Sequence, residues 1–277
     1  MTERRILRRV RGMPTADGAG VKLTRLIGQP LLDHVDPFLM LDEFRSDRAD
    51  DYIAGFPEHP HRGFETVTYM LAGHMRHADN HGNHGDLVAG SVQWMTAGRG
   101  ILHSEMPVQE NGLMWGFQLW VNLPARDKMT APRYQDIGPE RIPTVHPAAG
   151  VTARVIAGTF AGATGPVDGI STAPIYLDLA LEPGAQVEVP LPATHRAFAY
   201  VFDGEAVEVA GEPLARGELA VLGNGEGVQL AGSKAGARLL LVAGRPLNET
   251  ITRYGPFVMN TPEEIRTAVA DYQAGRF

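Results

Sequence analysis

Two stretches decide how this chain folds: Gly55-Phe-Pro-Glu-His59-Pro-His61-Arg-Gly-Phe-Glu65 and Gly98-Arg-Gly-Ile-Leu-His103-Ser-Glu105-Met-Pro107. In each, two side chains of metal-ligating type stand two residues apart. Residues two apart in an extended strand point to the same face. His59 and His61 can therefore aim both imidazoles at one point, and His103 and Glu105 repeat the device. Two adjacent strands of a small barrel would converge all four groups inside it. Three imidazoles and one carboxylate suit a divalent first-row transition metal. An octahedral ion held this way keeps two positions open, which suits catalysis better than structural support. The plainer alternative is four ordinary polar strand residues. One His-x-His means little, but two same-face pairs bracketed by glycine turns are hard to produce by chance.

Outward from these stretches the chain reads as β-structure. Segments 66–71, 91–95 and 117–121, then 175–181, 197–202 and 239–243, are short, β-branched and aromatic, and bounded by turn signals. The 32 glycines and 20 prolines supply those turns. A length of 277 residues suits two domains, each able to bury its own core. A faint internal repeat points the same way. Gly73 ends a strand in the first half as Gly204 does in the second. Gly90-Ser-Val-Gln-Trp-Met-Thr96 shares the rhythm of Gly217-Glu-Leu-Ala-Val-Leu-Gly223. The Pro-rich, polar stretch 124–150 is the best boundary. The expected domains are 1–130, carrying the ligands, and 145–277, without metal and ending in a helix. That helix is signalled by the capping box Thr261-Pro262-Glu263-Glu264, with Ile265, Val269 and Tyr272 on one face behind it.

Composition excludes several functions. There is no cysteine, so disulfides, thiolate nucleophiles and thiolate ligands are ruled out. A net charge of −7 gives no general attraction to a phosphate backbone, and 7% aromatic content offers little for base stacking, so direct nucleic-acid binding is not expected. The basic cluster Arg4, Arg5, Arg8, Arg9 and Arg11 is interrupted by Ile6, Leu7 and Val10, as in a solvated first strand. No apolar region follows it, and no segment reaches membrane-spanning length. The expectation is a soluble cytoplasmic protein. The histidines His74, His77, His81 and His84 are interspersed with Gly and Asn, which favours a polar hairpin over a second metal site. His195 is the only histidine after His146, and it has no partner two residues away.

The sequence resembles the pirin family, a branch of the cupin superfamily. The resemblance lies in His59-Pro-His-Arg-Gly-Phe-Glu-Thr-Val-Thr-Tyr69, Gln93-Trp-Met-Thr-Ala-Gly-Arg-Gly-Ile-Leu-His103-Ser-Glu-Met-Pro107, Gln118-Leu-Trp-Val-Asn-Leu123 and Gly255-Pro-Phe-Val-Met-Asn-Thr261. It implies an all-β bicupin: two stacked cupin-type β-barrels with a short C-terminal helix and metal in the first barrel only. It implies the ligands His59, His61, His103 and Glu105, with Fe(II) the expected ion and Ni, Co, Cu, Mn or Zn the alternatives. Glu65 fills the slot of a general cupin glutamate ligand, and strand parity would place it with His59 and His61. The pirin pattern prefers Glu105, leaving Glu65 a supporting role. Phe56, His77 and Gln118 are expected near the substrate pocket; Trp94 and Trp120 read most simply as core. The implied activity is flavonol (quercetin) 2,3-dioxygenation with carbon monoxide release, Glu105 serving as proton acceptor. The implied partners are a flavonol-like substrate and dioxygen. The alternative is a non-enzymatic, iron-dependent regulator that binds a transcription factor or a metabolic enzyme.

Overall fold

The computed structural model describes all residues, 1–277. The chain forms two compact units, each assembled from separate segments. The first unit comprises residues 13–29, 38–139 and 247–277; the second comprises 1–12, 30–37 and 140–246.

Each unit is a cupin-type barrel made of one seven-stranded and one four-stranded antiparallel sheet. In the first unit the large sheet runs, in spatial order, Arg133–Ile137, Val92–Thr96, Phe64–Ala72, Met114–Asn122, Phe38–Ser46, Val21–Ile27 and Met13–Asp17. Its small sheet runs Phe56–His61, Ile101–Pro107, His74–Asp79 and His84–Val88. The second unit repeats this order. Its large sheet runs Ile6–Arg11, Glu218–Leu222, Arg196–Gly204, Ala237–Gly244, Ile175–Leu181, Val151–Ala157 and Thr144–Ala148. Its small sheet runs Gln186–Pro190, Gly227–Gly232, Ala206–Val209 and Glu212–Ala215. The repeat seen in the sequence maps onto this duplication. Val92–Thr96 and Glu218–Leu222 hold the same position, and Gly73 and Gly204 follow or end the corresponding strands.

Strand chemistry explains the packing. Gln186–Pro190 alternates exposed and buried residues, the period-two pattern of a sheet with one face on a core. Ile175–Leu181 and Arg196–Gly204 are buried almost throughout, as their continuous apolar runs require. The second unit's core joins Val187, Val189, Val228 and Leu230 of the small sheet to Leu177, Ala199 and Leu239 of the large one.

The units do not follow the expected boundaries 1–130 and 145–277. Strand Ile6–Arg11 belongs to the second unit, where it pairs with the open edge of Glu218–Leu222. That edge would otherwise leave its backbone groups unpaired. Val10 is buried there and Arg9 reaches Glu212 at 2.6 Å in the open, but Arg4, just before the strand, is fully buried and donates to the carbonyls of Gly223 and Pro192, so the basic cluster is not solvated throughout. The helix Pro262–Gln273 begins with the full capping box at Thr261 and Glu264, but it belongs to the first unit. Its Ile265 and Ala268 pack on Phe257 and Met259. No helix is long and apolar enough to cross a membrane.

Candidate metal centre

The small sheet of the first unit brings the two diagnostic stretches side by side. Phe56–His61 pairs antiparallel with Ile101–Pro107, so that His59 lies directly opposite His103 and Ile101 opposite His61. The register shifts between His103 and Glu105, and Glu105 comes to lie opposite His77 on the next strand. Cross-strand neighbours on one face are close enough for their side chains to meet.

The three histidines do meet. Their ring centroids are 4.5 Å (His59–His103), 4.6 Å (His59–His61) and 5.0 Å (His61–His103) apart. One nitrogen from each ring lies within 4.8 Å of the others. His59 Nδ1–H donates to the Pro57 carbonyl at 2.8 Å, which leaves its Nε2 lone pair aimed inward, 3.0 Å from His61 Nε2. His103 is wholly buried, and neither of its ring nitrogens has a hydrogen-bond partner. Burial first, and the other histidines second, hold His61 and His103 well below the ordinary imidazole range, so both stay neutral. Three imidazoles whose nitrogens converge, two of them held neutral by burial, form a candidate cation site that one shared ion could occupy.

Glu105 stands outside this close cluster. Its Oε1 lies 2.8 Å from the Thr68 hydroxyl, and its Oε2 accepts from Gln118 Nε2 at 3.0 Å. Thr68 Oγ1 is also 2.7 Å from Gln118 Oε1. Thr68 has one hydroxyl hydrogen for two oxygens. All three contacts in this ring carry a hydrogen at once only when the Glu105 carboxyl supplies one. Thr68 and Gln118 belong to a polar row that crosses the inner face of the large sheet. Asp136, Gln93, Thr68, Gln118, Asp42 and Arg25 are successive cross-strand partners on six adjacent strands. Arg25 clasps Asp42 through two hydrogen bonds of 2.8 and 2.7 Å.

A cavity of about 530 Å³ opens beside the histidines. His59, His61, Glu105 and Gln118 line it on one side. Leu23, Met40, Phe44, Phe56 and Trp120 supply apolar walls. The hairpin formed by Thr252–Tyr254 and Phe257–Met259 contributes Arg253, Gly255 and Pro256. Trp120 touches His61 edge-on at 5.3 Å and carries the Arg253 guanidinium 4.9 Å from its ring centroid. Such a cavity has the size and lining of a small-molecule site.

Comparison with known proteins agrees with this geometry. The Pirin family model matches residues 20–121, and that of the Pirin C-terminal cupin domain matches residues 176–277. A Caulobacter vibrioides pirin-like protein is 50% identical over 100% of both chains. The chain belongs to the pirin family. A Pseudomonas aeruginosa member, named "Putative quercetin 2,3-dioxygenase", is 53% identical and aligns over 95% of this chain and 94% of its own. The crystal structure of a quercetin 2,3-dioxygenase from Acinetobacter baumannii superposes with a TM-score of 0.91 at 35% identity, covering 99% of this chain and 98% of that one. The pirin fold and the three-histidine cluster together indicate a single metal ion.

Phe56 and Gln118 are among the residues that line the cavity. His77 is not. It is 1% exposed and reaches Asp136 through Nε2 at 3.1 Å, with Tyr134 stacked on it at 5.2 Å. The strand pairing that sets it opposite Glu105 draws it to the far end of the polar row. Burial pushes the Asp136 carboxyl up, but hydrogen bonds from His77 and Gln93 more than offset this and hold it low. Glu65 is also displaced from its expected face. Gly63, at φ +89°, breaks the strand between His61 and Phe64, so parity does not carry across. Phe64 and Thr68 face the site, and Glu65, on the other face, binds the Thr96 hydroxyl at 2.7 Å. The remaining loop histidines lie on a hairpin whose turn is capped by Asp79, which accepts from the backbone of His81 and Asn83.

Sequence reasoning missed Thr68 and the cavity role of Trp120. Trp120 was recoverable, because it is two residues from Gln118 on the same strand and must share its face. In the second unit, strands Gln186–Pro190 and Gly227–Gly232 take the place of the ligand strands. They set Val187 against Leu230 and Val189 against Val228. His195 there lies 2.8 Å from the Ala173 carbonyl through Nε2.

Proposed function

We propose that this chain is a mononuclear iron-dependent dioxygenase of the quercetin 2,3-dioxygenase type, with His59, His61, His103 and Glu105 as ligands. The observation that carries the reading is the 530 Å³ cavity, walled by Phe44, Phe56, Met40 and Trp120 and lined at the cluster by His59, His61 and Glu105, with the buried, hydrogen-bond-free imidazole of His103 packed against both histidines. A structural metal is normally enclosed by protein ligands, whereas this cluster faces a space suited to a planar aromatic molecule.

When bound, the iron would supply positive charge that acidifies a flavonol hydroxyl and a place for dioxygen to react. The chain's own residues supply the rest. Phe44, Phe56 and Trp120 bound the cavity, orient the rings and exclude water. Glu105 is placed to take the hydroxyl proton, because it has two stations. Ionised, it can turn towards the histidines as a ligand. Protonated, it completes the hydrogen-bonded ring with Thr68 and Gln118 described above. With carbon monoxide lost and both atoms of O₂ retained in the depside, atoms and electrons balance without an added reductant.

The test is aerobic incubation of the iron-reconstituted protein with quercetin, alongside metal analysis. Quercetin and oxygen should disappear together with release of carbon monoxide. Absence of both above a metal-only control refutes the reading and favours an iron-dependent regulatory role, to be sought among proteins that co-purify with the iron form.

A further inference from the structure

His61 is followed by a tightly held turn. Arg62 is 3% exposed, and its side chain makes three separate contacts. Nε donates to the Arg99 carbonyl at 2.5 Å, Nη1 donates to Asp271 at 2.7 Å, and the guanidinium carbon sits 4.3 Å from the centroid of the Phe277 ring. Asp271 is on the C-terminal helix, and Phe277 lies just beyond it. Phe277 also reaches the second ligand strand. Its ring covers Gly100, where any Cβ would meet it at 2.8 Å, one residue before the strand that carries His103. Its carbonyl accepts from Asn80 Nδ2 at 2.9 Å, and Asn80 Oδ1 in turn accepts from the backbone of Leu102 at 3.1 Å. The turns that present His61 and His103 are thus joined through one group of side chains, all within the first unit.

We propose that Asp271 and Phe277, acting through Arg62, position the two ligand turns and set how firmly the three histidines hold their metal. Neither residue is a ligand or lines the cavity, so their role is positioning. The inference rests on the metal-centre reading but not on any particular substrate. The physical argument concerns Arg62. A buried guanidinium stripped of its carboxylate and its aromatic cover must find water or other acceptors. The backbone that would move to let it do so adjoins His61. Ligand spacing is held by such supporting contacts, and their loss commonly weakens metal affinity 10- to 100-fold.

The test uses cobalt(II) as the bound ion in the full chain, following its release to a chelator and its ligand-field spectrum. The Asp271→Asn/Phe277→Ala variant should release cobalt about tenfold faster, equivalent to about 1.4 kcal/mol, with an altered spectrum. Phe277→Tyr, which keeps the ring face over Arg62 and Gly100, should restore the parent rate. Asp271→Asn alone, close in shape to the parent, should give a smaller shift in the same direction and serves if the double variant does not fold. Ile265→Ala loosens the same helix through its core contact and should leave the spectrum unchanged. Equal release from Ile265→Ala and the brace variants would reduce the effect to general stability and overturn the proposal, as would parent-like release from the double variant. Fast release in a protein that shows no quercetin turnover sustains the brace while the dioxygenase reading falls. A parent that binds no cobalt overturns both.

Discussion

Replacing Glu65 with Gln separates the two candidate carboxylates and has a predictable pH signature. Glu65 is 2% exposed, on the face of its strand turned away from the histidines. Burial pushes its carboxyl up from an ordinary 4.5 to about 7, against the opposing pull of the Thr96 hydroxyl and the Trp94 indole. The folded protein therefore keeps a proton here that the unfolded chain loses above pH 4.5. Between about pH 4.5 and 7 the native state binds more protons, so stability falls as pH rises through that window. At about 1.4 kcal/mol per pH unit, the total is about 3 kcal/mol. Glutamine cannot ionise, so Glu65→Gln should lack this slope. Its buried amide hydrogens set a different baseline, which does not alter the difference in slope. Urea unfolding of the metal-free parent and variant at pH 4.5, 6 and 8 measures it, since the other titrating groups are common to both. The stability difference should shift by about 3 kcal/mol in favour of Gln on going from pH 4.5 to 8. The variant should also keep full metal content. Parallel pH curves would refute the burial argument, and loss of metal would make Glu65 the ligand.

Three further outcomes follow from the site. A His59→Ala/His103→Ala variant should contain no metal by elemental analysis, because one imidazole and a carboxylate leave the ion undercoordinated. Phe56→Trp should raise the KM for quercetin several-fold while iron content stays at the parent level, because the added bulk enters the cavity and not the histidine cluster. Lys128→Met should cost about 3 kcal/mol or more in urea unfolding, because the buried ammonium serves three acceptors: the carbonyls of Gly63 and Val258 and the side chain of Asn122.

Much of the site was legible because strand parity is a local property. His59 with His61, and His103 with Glu105, needed only a period of two, and the pairing of their strands brought three rings together. Parity failed where the strand broke. Gly63 has no room for a side chain, since a Cβ would come within 2.0 Å of the Val258 carbonyl, and the sharp turn there reverses the face on which Glu65 falls. Where the Glu105 carboxylate rests depends on Thr68, 37 residues away, and no local rule links the two. Only the family resemblance puts His77 near the pocket, and the structure commits it to Asp136, 59 residues away. The segment boundaries were hidden for a similar reason. Composition marks the break near 124–150, but it carries no information about which open sheet edge the first strand will fill.

The exchange of end segments bears on the order in which the two barrels can be completed during synthesis. The sheet edge that receives Ile6–Arg11 is made more than 200 residues after that strand. Arg62 likewise waits 209 residues for Asp271. The second barrel has all its segments once residue 246 is made, whereas the first still waits for residues 247–277. The three histidines are made early, and the contacts of Arg62 beside them with Asp271 and Phe277 can form only after residues 247–277 follow. On the positioning role proposed above for Asp271 and Phe277, a fragment ending near residue 130 would carry all the proposed ligands yet hold a metal less firmly than a chain that reaches residues 247–277.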